Sequence, residues 1–233
     1  MAYWLLAVLI AASPSLFSAP PQSPPATEDE GSFILMLNGR QIGIEKFRIH
    51  ARGENLEASA RIEFRAGQDG NPVDFKTFPD LILNSQLQPI SYTWNQKGAR
   101  SSRLQMDFSQ GMARVRYHTV NGRQDDREFK LPQDVVILDD NVIYQYELAA
   151  WRYAMTPGGQ QTFTAFIPQE ALPGTLTVTN AGKETIKIGG KKEACKHLVI
   201  STDLARIDLW LDSEWRLERM DRASEQFVAL RQH

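Results

Sequence analysis

The chain has 233 residues, of which 42% are hydrophobic and 23% charged, and its formal net charge is −2. Such a composition excludes an intrinsically disordered chain, and so small a charge supplies no field to draw in nucleic acid, so no nucleic-acid partner is expected. One cysteine, Cys195, excludes an intramolecular disulfide, which leaves stability to the core.

At the N-terminus, no Lys or Arg precedes Arg40, and Tyr3 to Ala12 reads YWLLAVLIAA, an unbroken apolar run. This run suits the hydrophobic stretch of a signal peptide better than a membrane span, which needs about 20 residues, and Pro14 follows closely. The expectation is a signal peptide over residues 1–18, export, and a periplasmic location. An uncleaved inner-membrane anchor from Tyr3 to Ala19 is the alternative. Residues 19–31 end in PPQSPPATEDEG, which reads as an extended Pro-rich, acidic linker. A single folded domain is expected over residues 32–233.

From Phe33 to Lys130 the dominant period is two. In SSRLQMDF, Leu104, Met106 and Phe108 alternate with Arg103, Gln105 and Asp107; in MARVRYHT, Ala113, Val115 and Tyr117 alternate with Arg114, Arg116 and His118. Each pattern marks a strand with one dry and one wet face, and the Ser109 to Gly111 turn joins them as a hairpin. Asn38-Gly39 and Asn121-Gly122 predict two more hairpins. EASARIEF, VDFKTFPDLIL and QPISYTWNQ continue the pattern between them. After Tyr153 it resumes through QTFTAFIPQ, GTLTVTN, ETIKI, CKHLVIST, RIDLWLD, WRLERMD and QFVALRQ, with turns expected at Asn180 to Gly182, Gly189-Gly190 and Ser213-Glu214. About a dozen strands without βαβ alternation predict a mainly β fold with a large antiparallel sheet.

The rhythm changes once, in VVILDDNVIYQYELAAWRY. Val142, Tyr146, Ala149, Ala150 and Tyr153 fall on one helical face, which predicts a helix of roughly fourteen residues. Asp139 or Asp140 is the expected N-cap, and Pro157, Gly158 and Gly159 stop the helix. The alternative for the two aspartates is a general acid/base pair in a hydrolase.

Other chemistry is sparse. His50, His118, His197 and His233 have no metal-ligand spacing, no phosphate-binding or nucleophile motif occurs, and Cys195 beside an apolar strand reads as an inert buried thiol, so no catalytic residue, metal or cofactor is expected. Arg103, Arg114 and Arg116 share the wet face of one hairpin and could meet an anionic head group there; solvated sheet charges are the alternative. A dozen strands with one apolar face must also curl, because each large side chain left wet forgoes about 1.5–3 kcal/mol. The result is either a closed barrel or sandwich with a packed interior, or an open trough with the helix in its mouth, and the trough would hold an apolar ligand.

Two segments, NGRQIGIEKFRI and HLVISTDLARIDLWLDSEWRLERMD, resemble those of an uncharacterised family of bacterial periplasmic proteins and, more distantly, the lipoprotein-carrier proteins with an unclosed β-barrel. The resemblance implies a curved antiparallel sheet with helical cover in a bacterial cell envelope, and in the carriers such a trough holds acyl chains. It transfers no catalytic residue. The leading expectation is therefore a non-enzymatic envelope protein binding a lipid or acyl chain, with Tyr92, Trp94, Met106, Phe108, Tyr146 and Trp151 lining the cavity or, alternatively, filling a closed core. The competing expectation is a structural module that docks an envelope protein partner.

Overall fold

The computed structural model of the protein describes residues 28–66, 73–98, 101–118, 122–139, 141–156, 158–203 and 205–233. The expected signal peptide, the possible anchor and most of the linker lie outside these residues. Among the described residues no helix is long and apolar enough to cross a membrane.

The chain forms β1 (Asp29–Leu37), β2 (Arg40–Arg52), β3 (Asn55–Ala66), β4 (Val73–Asn84), β5 (Pro89–Lys97), β6 (Ser102–Ser109), β7 (Met112–His118), β8 (Gln124–Lys130) and β9 (Val136–Ile137) before α1 (Tyr144–Ala154). It continues through β10 (Gln161–Ile167), β11 (Leu172–Ile188), β12 (Lys191–Ser201), β13 (Arg206–Leu211), β14 (Leu217–Arg222) and β15 (Phe227–Arg231). All fifteen strands join one sheet, in the order β8-β7-β6-β5-β4-β3-β2-β1-β15-β14-β13-β12-β11-β10-β9. Neighbours are antiparallel except β9 and β10, which run parallel, and β1 on β15 unites the two halves of the chain. The mainly β sheet with one central helix is as the sequence predicts.

Period two becomes geometry in the cross-strand register. The row Ile49, Ala58, Leu81, Tyr92, Met106 and Val115 runs across β2 to β7, and each of these side chains is buried. Their chain neighbours point the other way, and these include Arg48, Glu57, Asp80, Asp107, Arg114 and Arg116. The sheet curls until its ends approach without a shared ladder: the Phe129 ring of β8 lies 4.8 Å from Phe166 of β10, and the Tyr117 hydroxyl donates to the Pro168 carbonyl at 2.9 Å. The barrel is thus not closed by hydrogen-bonded strands, and its two halves share one main core.

Three local expectations need correction. β1 begins at Asp29, inside the stretch read as linker, because Asp29 is buried and paired with Arg231. The turn expected at Asn180 to Gly182 is a bulge within the single 17-residue strand β11; the Asn180 side chain accepts the Gly182 N–H at 2.8 Å, and Gly182 takes φ +102°. The helix has 11 residues rather than about fourteen.

Gly43 lets β2 and β3 approach closely. A Cβ there would meet the Glu63 carbonyl oxygen at 2.5 Å and the Phe64 Cβ at 2.7 Å, so β2 and β3 would have to part. Gly43→Ala is expected to destabilise the fold by about 1–3 kcal/mol. A urea midpoint equal to that of the wild type would contradict this reading.

Candidate functional site

The inner face of the sheet surrounds α1. Tyr144 to Trp151 and Tyr153 are all buried, including the polar Gln145 and Glu147. A helix in so dry a place needs partners for the amides of its first turn. The helix N-cap is Ile143, which has no side chain able to serve. Glu45, on the inner face of β2, does so instead: the Ile143 N–H donates to its Oε2 at 2.7 Å and the Tyr144 N–H to its Oε1 at 2.8 Å. Burial pushes the Glu45 carboxyl up to about 8, against the pull of those two donors.

This corrects the expected cap. Asp139 lies ahead of the helix, is 1% exposed, and accepts the Tyr92 hydroxyl at 2.5 Å and the Gln169 N–H at 3.0 Å. Its own N–H donates to the Gln145 Oε1 at 2.6 Å. Asp139 therefore ties β5, the segment after β10 and α1 together. Asp140 lies outside the described residues. Further along the helix, Glu147 accepts the Leu217 N–H at 3.0 Å, and the Trp151 indole donates to the Trp215 carbonyl at 2.9 Å. Burial and the neighbouring Asp29 carboxylate hold Glu147 well above the usual range, opposed by Arg231. Arg231 pairs with Asp29 and lies 3.6 Å from Glu218, whose other oxygen meets His233 at 2.7 Å.

The six residues expected to line a cavity are brought together, but around the helix. Tyr92, Trp94, Met106, Tyr146 and Trp151 are buried in the one main core, and Phe108 packs half-buried against it. Of the six, only Phe108 borders a described cavity, a shallow one of about 150 Å³. Larger open cavities lie elsewhere: about 580 Å³ over β2 to β4, about 360 Å³ beside Ile44, Lys46, Arg61 and Glu63, and about 470 Å³ around Asp29, Arg48, His50 and Arg216.

The remaining chemical candidates are engaged structurally. Arg114 pairs with Glu128 at 2.8 Å and Arg116 with Asp126 at 3.3 Å, while Arg103 sits across the ladder from His118. His197 stacks on Trp210 between Asp208 at 2.8 Å and Glu184 at 3.3 Å. Cys195 is buried, and burial pushes its thiol to about 11, far from a reactive thiolate. Among the described residues no group of three or more His, Cys, Asp or Glu side chains is placed to hold a metal.

With this geometry in place, residues 33–222 match the family described as protein of unknown function, DUF3108. The chain belongs to that family. Among solved structures it is similar to a β-barrel-like protein of domain of unknown function DUF1849 from Brucella abortus, at a TM-score of 0.59 and 11% identity over 88% of this chain and 96% of that one. A DUF1089 family protein from Pseudomonas aeruginosa gives a TM-score of 0.49 at 8% identity over 92% and 98% of the two chains. At these identities the first likeness speaks for the fold alone. No curated protein is similar enough to count as a relative.

The sequence reading missed Glu45, yet a signal was there: it is in phase with Gly43, Phe47 and Ile49 on the dry face of its strand, where an acid needs a reason. The folded state holds the Glu45 proton more tightly than the unfolded chain does. Its contribution to stability is thus complete below about 4.5 and is lost as the pH rises through about 8. Glu45→Gln keeps one acceptor for two donors, and is expected to cost about 1–3 kcal/mol. Calorimetry from pH 5 to 9 should show a lower Tm and a flatter decline with pH than in the wild type; an unchanged slope would contradict the assignment.

Proposed function

We propose that this chain is a non-enzymatic, exported binding protein of the bacterial cell envelope, and that it carries an apolar ligand on the outer face of its sheet. The observation behind this reading is the filled interior. The inner face is spent on α1, which Glu45, Asp139, Glu147 and Trp151 fix at four points, so an acyl chain lodged inside would have to displace the helix and break all four ties. Two of the open grooves lie over β2 to β4. The leader-like run from Tyr3 to Ala12 supports export.

A second reading, docking of an envelope protein, draws on β8. Among the described residues no strand lies beyond it in the sheet order, and Gln124 to Glu128 are exposed, which offers a ladder for an added strand. Its five charges, Asp125, Asp126, Arg127, Glu128 and Lys130, weigh against it, since charged edges resist such pairing.

Organic extraction of the chain, purified under mild conditions from the periplasmic fraction of its expression host, followed by lipid mass spectrometry tests the proposal. The expected result is an acyl-chain lipid recovered in an amount comparable to the protein. A chain that stays in the cytoplasm, or an extract empty of lipid from a folded protein, would overturn it.

A further inference from the structure

Resting on the ligand-binding reading above, we infer that the groove over β2 and β3 takes a single-chain amphiphile with an anionic head, such as a long-chain carboxylate. The groove is two cavities of about 580 and 360 Å³ that share Ile44 and Glu63. Each falls within the size range of about 300–1,000 Å³ typical of small-molecule sites.

Ile44 lines both cavities, and the register extends its apolar surface beyond them as a floor. Ile44 pairs across β1 with Ile34, which pairs in turn with Leu230 of β15, so three aliphatic side chains stand side by side. All three are only half-buried and face away from the helix, on the opposite side from Gly43 and Glu45. They are therefore not used by the core. An alkyl chain laid along this row would remove them from water without disturbing the interior.

The charges beside the floor set the head group. The described lining carries four basic side chains, Lys46, Arg61, Arg65 and Lys76, against two acids, Glu63 and Asp74. Arg65 and Asp74 satisfy each other at 2.8 Å. Glu63 is shared by Arg61, whose Nε donates at 2.7 Å, and by Lys76 at 3.6 Å. Lys46 is exposed and belongs to no ion pair among the described residues; it sits directly across the ladder from Arg61 at the end of the floor. Two cations side by side, with one shared carboxylate beyond them, repel each other until an anion joins them, and a carboxylate or phosphate head does so while its tail follows Ile44. A neutral lipid gains nothing from this end of the groove.

The test is fluorescence titration of the full chain with cis-parinaric acid, a long-chain carboxylate, and with its methyl ester. The acid is expected to bind saturably and the ester about tenfold more weakly. Lys46→Glu and Ile44→Glu, each verified as folded by circular dichroism, should weaken binding of the acid about tenfold; both positions lie outside the core, so the fold tolerates them. Equal binding of acid and ester, or variants that bind like the wild type while the chain still takes up the acid, would overturn the site and leave the ligand-binding reading standing. A folded chain that takes up neither probe would overturn both. Sedimentation with phosphatidylglycerol vesicles without uptake of the free acid would overturn the proposal in favour of a membrane-surface patch.

Discussion

A helix placed inside a curled sheet has to find partners for its first amides without help from water, and most of this architecture follows from that need. Glu45 meets it from the second strand, about a hundred residues earlier in the chain. The carboxylate can do so only because β2 carries it on the dry face, in the same phase as Phe47 and Ile49. A substantial desolvation cost is accepted in exchange for two hydrogen bonds from the helix amides, and the helix is thereby held in one orientation. Asp139, Glu147 and Trp151 add ties to other parts of the sheet, so α1 is fixed along its length rather than resting in a groove by apolar contact alone.

These ties divide the labour between the two faces. The inner face is a packed core around α1, in which Glu45, Asp139, Glu147 and Trp151 are each engaged by hydrogen bonds. The outer face keeps half-buried aliphatic residues and unevenly matched charges, which are the features from which recognition is built.

Much of the fold was legible in the sequence because period two is a local signal. Leu104, Met106, Val115 and Tyr117 announce their face within a few residues, and Asn38-Gly39 announces its turn. The change to helical spacing around Tyr146 was equally plain. What failed were inferences in which a local rule was overridden by a distant partner. Asp139 has the right type and place for an N-cap, yet its carboxylate is claimed by Tyr92, and the capping task passes to a residue that no short-range rule connects with the helix. Asn180 to Gly182 has turn composition, but β12 offers a ladder on both sides of it, so the kink is absorbed as a bulge. The aromatic residues Tyr92 and Trp151 are buried in the core; whether an inward face is hollow or full depends on how far the sheet curls, which alternation does not encode.

The pairing of β1 with β15 carries a temporal consequence. Phe33 meets Arg231 and Leu37 meets Phe227, so the middle of the sheet waits for residues almost two hundred positions downstream. Until they emerge from a ribosome or a translocon, one flank of β1 is bare and the buried Asp29 lacks its arginine. Maturation is therefore a late, cooperative closure rather than a gradual accretion, and the nascent polypeptide spends that interval with an adhesive border that chaperones would have to shield.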